Sequence, residues 1–130
     1  MSAQTPHFEP SDLDDELPEE GFHEAVIDQA RLRVSEHGNP TVQVIYHLIE
    51  RPGGSRGVAE YFVIEGASPT ALAISRRRLV ALYRACGLMP EPGEAIDPAD
   101  LVGSKLDIRI GHETYAGTQR PRVLGYRARP

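Results

Sequence analysis

The chain has 130 residues, 40% hydrophobic and 25% charged, proportions of one soluble folded domain that exclude wholesale disorder. Its net charge of −5 is unevenly spread. Seven of the 19 acids (Glu9, Asp12, Asp14, Asp15, Glu16, Glu19, Glu20) fall in residues 1–20, which hold no Lys or Arg, leaving 12 acids against 14 bases in residues 21–130.

No apolar run approaches the roughly 20 residues of a membrane helix, and no basic-then-apolar signal opens the chain. A cytoplasmic protein without membrane contact is therefore expected. The one cysteine, Cys86, cannot form an internal disulfide, and no Cys/His spacing matches a zinc site. Phosphate-binding glycine loops and the GxSxG elbow are absent from the sequence.

Residues 1–20 contain three prolines and few apolar side chains, so they read as an acidic, flexible arm. Residues 21–130 form the folded domain. A first strand is expected over 22–34, with imperfect alternation that points to a bulge near Ala30. Gly38-Asn39 signals a turn. Residues 41–50 alternate, with Val42, Val44, Tyr46 and Leu48 on one face and Gln43, Ile45 and His47 on the other. Pro52-Gly53-Gly54 turns the chain into a third strand over 57–64, with Val58, Phe62 and Ile64 facing one way and Ala59, Tyr61 and Val63 the other.

The period then lengthens. Ser68-Pro69 is a helix start and Gly87 a helix stop, and Leu72, Ser75, Leu79, Leu82, Tyr83 and Cys86 mark an apolar stripe between them. A Pro/Gly-rich connector follows. A fourth strand is expected over 104–111, a loop over Gly111 to Pro121, and a last strand over 122–127. The order β-β-β-α-β-β describes a mainly β domain with one helix, and it is the element order of a five-stranded OB-like barrel. An open five-stranded sheet with one packed helix shares that string.

Leu17-Pro18-Glu19-Glu20-Gly21 followed by Phe-His-Glu-Ala-Val-Ile resembles the opening of a family of small phage- and prophage-encoded proteins of unknown function. Further matches are His37-Gly38-Asn39, Arg56-Gly57, Arg77-Arg78-Leu79 through Gly87, Leu101-Val102-Gly103 and Val123-Leu124-Gly125-Tyr126. They span residues 17–127. The resemblance implies a protein similar to single-stranded-DNA-binding proteins, acting in phage replication or recombination. The chain departs from that family's pattern at His23, where Tyr is usual, and at Ala59, where an aromatic is frequent.

Binding single strands requires a basic groove for phosphates and aromatic faces for bases. The candidates here are Arg31, Arg33, Arg120 and Arg122 for phosphates, Tyr61 and Tyr115 for stacking, and His47 on the outward face of the second strand. The acidic arm is expected either to compete for that groove or to recruit a basic protein partner. Arg76-Arg77-Arg78 cannot share one helical face and read as solvated surface. Arg120, Arg122, Arg127 and Arg129 form a basic cluster with no acid among them. No metal, cofactor or catalytic constellation is expected; Asp97 and Asp100 read as cap or turn residues. The alternative function is a protein-interaction adaptor that binds no nucleic acid, and assembly into a homo-oligomer fits either class.

Overall fold

The computed structural model describes residues 17–34, 38–49, 57–89, 91 and 97–129. Residues 1–16 of the acidic arm, the turn expected at Pro52-Gly53-Gly54 and most of the Pro/Gly connector lie outside them. The described elements are β1 (Gly21–Val34), β2 (Pro40–Leu48), β3 (Val58–Val63), α1 (Pro69–Ala85), a short 3-10 helix (Pro98–Leu101), β4 (Lys105–Tyr115) and β5 (Thr118–Ala128). All five strands are antiparallel neighbours in one sheet of order β3-β2-β1-β4-β5. The sheet is open, since no ladder joins β3 to β5 among the described residues.

Alternation builds the core. Val42, Val44, Tyr46 and Leu48 of β2 are buried, as are Leu106, Ile108 and Ile110 of β4. The β1 bulge falls between Ile27 and Gln29, slightly earlier than the sequence predicts. Its effect is large: the extra residue reverses the alternation, so that Ile27 and Ala30 both face the core. Without it Arg31 and Arg33 would continue the inward set. With it they pair on the outward face, opposite Gln43 and Thr41.

Helix α1 begins where Ser68 Oγ accepts the Ala71 amide at 3.2 Å, with Pro69 in the first turn. It ends at Gly87, whose φ of +79° suits a residue without Cβ. The amides of Gly87 and Leu88 close on the Arg84 and Tyr83 carbonyls at 2.9 Å each, the paired bonds of a Schellman cap. Leu79, Leu82 and Tyr83 face the sheet. Tyr83 donates to the Asp97 carbonyl at 2.9 Å, and Asp97 caps the 3-10 helix through the Ala99 amide. That is the cap role expected of Asp97.

The loop expected over Gly111 to Pro121 is instead a β-hairpin. Gly111 pairs with Arg122, His112 with Pro121, Glu113 with Arg120, Thr114 with Gln119 and Tyr115 with Thr118. Ala116 and Gly117 turn the chain with φ of 51° and 81°, the two-residue geometry whose twist matches the strands. The sequence hides this because the hairpin projects past the core. Both faces are then polar or small, and Pro121 within a strand reads as a breaker.

Candidate nucleic-acid interface

Three of the expected site residues meet on the outward face of β1–β3. Gln43 is their hub. Its side-chain oxygen accepts from Arg31 Nε at 3.3 Å and Arg33 Nη1 at 3.2 Å, and its amide donates to the Tyr61 hydroxyl at 3.2 Å. Register produces this convergence, because Gln43 stands directly across from Arg31 on one side and Tyr61 on the other. Gln43 is buried beneath the three side chains while the Tyr61 ring stays 60% exposed. Neither Arg31 nor Arg33 forms an ion pair among the described residues, and the Gln43 side chain holds both in place.

A second group sits on the hairpin. Arg120 donates to Glu113 at 2.9 Å, and its guanidinium lies 4.2 Å from the centroid of the Tyr115 ring. Arg122 approaches the other oxygen of Glu113 at 4.0 Å. Tyr115 is 63% exposed. Between the groups runs an open cleft of about 1230 Å³, walled by β3, α1 and the hairpin, and lined by Tyr61, Ile74, Arg78, Arg120 and Arg122 among others. Tyr61 therefore belongs to both the Gln43 group and the cleft. His47 does not join either group. It shares the outward face of β2 but lies opposite Val26, four residues from Gln43, or about 13 Å along a strand.

The basic cluster near the C-terminus is not a free positive patch, because acids from other strands meet it. Arg127 pairs with Asp107 at 2.9 Å, and Arg129 pairs with Glu24 at 2.6 Å. Arg127 also lies over the Phe22 ring at 3.9 Å. Glu113 likewise serves Arg120 and Arg122. None of these acids adjoins the cluster in sequence, so only strand pairing reveals them.

The larger difference from the sequence reading concerns Arg78. It is not solvated surface. Glu60, 8% exposed on the inward face of β3, accepts from Tyr46 at 2.7 Å, from Tyr126 at 2.5 Å and from Arg78. Arg78 also donates to the Val123 carbonyl at 2.9 Å and to the Tyr126 hydroxyl at 3.3 Å. This cluster ties β2, β3, β5 and α1 together across the open side of the sheet. The Glu60 position had a signal: it lies between Val58 and Phe62 at the inward phase of β3, where an acid needs partners.

Burial, followed by the neighbouring Glu60 charge, pushes the Tyr46 and Tyr126 hydroxyls well above the ordinary value of a phenol. Burial and then the Asp100 and Asp97 charges raise Tyr83 to about 12. Arg78 loses through burial, but its hydrogen bond with Glu60 and the charges around it more than compensate, so it stays charged. Because the fold holds these phenols protonated more tightly than the unfolded chain, their contribution is complete below pH about 10 and shrinks as pH rises. We therefore expect alkaline unfolding that sets in above pH about 10 and advances through about 12, the value of Tyr83. Circular dichroism and phenolate absorbance should change together. Ionisation of Tyr46 and Tyr126 within a still-folded protein would contradict this.

Among the described residues, no group of three or more His, Cys, Asp or Glu side chains is arranged to hold a metal. No helix among them is long and apolar enough to cross a membrane. Cys86 is half-buried, and burial pushes its thiol up, away from the thiolate that a nucleophile needs. No protein-family model and no curated protein matches the chain.

Proposed function

We propose that this protein is a non-enzymatic single-stranded-DNA-binding module of the phage replication and recombination type, built as an OB-like barrel. The strand order places β3 and β5 at the two edges, and the Glu60 cluster bridges those edges through side chains in place of a ladder. Side-chain closure of this kind leaves the outward face of β2–β3 open beside the hairpin, the face on which OB-folds take oligonucleotides.

The observation that carries the reading is the Arg31–Gln43–Tyr61 arrangement with Arg33. Two cations on β1, without acidic partners among the described residues, share one sheet face with an exposed aromatic ring two strands away on β3, and a single strand needs both kinds of group. Tyr115, backed by Arg120 on the hairpin, offers a second stacking face. A strand lying across β2–β3 toward the hairpin would meet phosphate donors at Arg31 and Arg33 and then at Arg120 and Arg122.

Titration of labelled oligo-dT at low salt, read by fluorescence anisotropy, tests this. Four phosphate contacts predict that log K falls with log salt at a slope of about −3. Absence of binding at low salt would overturn the reading and favour the adaptor, for which Leu32 and Val34, 60% and 70% exposed at the end of β1, are the candidate contact.

A further inference from the structure

The last residues of the acidic arm do not hang free. Pro18 is buried, and its carbonyl accepts from His112 Nε2 on the hairpin at 2.6 Å. The Glu19 carbonyl accepts from His23 Nε2 at 2.5 Å. Leu17 and Pro18 line the same cleft as Tyr61, Arg120 and Arg122. The chain preceding Leu17 therefore leaves from the cleft wall itself.

We infer that residues 8–16 of this chain dock in the cleft between β3, α1 and the β4–β5 hairpin and compete there with a nucleic-acid strand. The competition rests on the DNA-binding reading above; the docking does not.

Three features commit the cleft to this occupant. The first is reach: Leu13 is four residues upstream of Leu17, within about 14 Å, and Phe8 is nine residues upstream, within about 32 Å. The second is charge, since residues 1–16 carry five acids (Glu9, Asp12, Asp14, Asp15, Glu16) and no Lys or Arg. The cleft offers three arginines against Glu60 and Glu113, so it retains a positive surplus. The third is apolar surface. Ile74 is 52% exposed and lines the cleft with Tyr61 and Val58, a place for the two large hydrophobes of the segment, Phe8 and Leu13. A tethered segment meets such a site at an effective concentration of about millimolar, so individually weak contacts suffice.

The test uses two full-length chains, the natural one and one with Glu9→Gln, Asp12→Asn, Asp14→Asn, Asp15→Asn and Glu16→Gln. Amide resonances are first compared without DNA. Docking predicts differences at Tyr61, Ile74, Gln119, Arg120 and Arg122 that fade as salt is raised. Differences confined to the substituted arm and its immediate neighbours would overturn it. Oligo-dT affinity is then measured for both chains. A segment docked nine-tenths of the time reduces apparent affinity about tenfold, so the neutralised chain should bind about tenfold tighter at low salt. Equal affinities would overturn the competition. If neither chain binds oligo-dT, the DNA reading fails, while the resonance comparison still decides the docking.

Discussion

Replacing Glu60 with alanine should lower the unfolding free energy by about 3 kcal/mol, the lower end of the range for breaking a buried ion pair. The lower end applies because the Arg78 side chain is 32% exposed, so water screens part of its charge. The loss arises from what is left behind. Arg78 keeps only the Val123 carbonyl and the Tyr126 hydroxyl, while the buried Tyr46 hydroxyl loses its acceptor. For a domain of this size that corresponds to a fall in melting temperature of roughly 15 °C. Glu60→Gln, which keeps the shape and an acceptor, should cost less. Chemical denaturation of both variants measures the effect, and a loss under about 1 kcal/mol for Glu60→Ala would show that the cluster does not hold the two edges together. A double-mutant cycle with Arg78→Ala isolates their coupling.

That cluster also shows where the sequence was readable and where it was not. The five strands, the helix with its Ser68 and Gly87 ends, and the inward sets of β2 and β4 follow from period and punctuation, because each is a local consequence of one buried face. Arg78 sits within three consecutive arginines, and nothing local distinguishes it from Arg76 and Arg77. Its partners, Glu60 and Tyr126, lie 18 and 48 residues away. The hairpin was hidden for the opposite reason: it extends beyond the core, so no hydrophobic alternation marks its strands. At the candidate site, Tyr61 was legible as an outward residue, and Arg31 and Arg33 as cations at the end of the first strand. Their convergence on Gln43 was not, because it depends on a one-residue bulge and on cross-strand register.

The second large effect concerns Tyr61. Base stacking on an exposed aromatic contributes about 1–3 kcal/mol per base, so Tyr61→Ala should weaken oligo-dT binding roughly five- to hundredfold with little change in stability. Tyr61→Phe removes the hydrogen bond from Gln43 but keeps the ring, and should retain most of the affinity. If Phe were as damaging as Ala, the hydroxyl and its hold on Gln43 would be the working element, and the stacking role would be wrong. Arg31→Ala with Arg33→Ala should act differently. It should flatten the salt dependence by about 1.4 in slope, the share of two phosphate contacts, and weaken binding evenly across base compositions.

The most direct measurement is a titration of isotopically labelled full-length protein with oligo-dT at low salt, following every backbone amide. The DNA-binding account predicts that Arg31, Arg33, Gln43, Tyr61 and the hairpin from Tyr115 to Arg122 shift together and saturate, while Arg76 and Arg77, which do not line the cleft, stay still. Shifts confined to the helix, or none at saturating DNA, would contradict it.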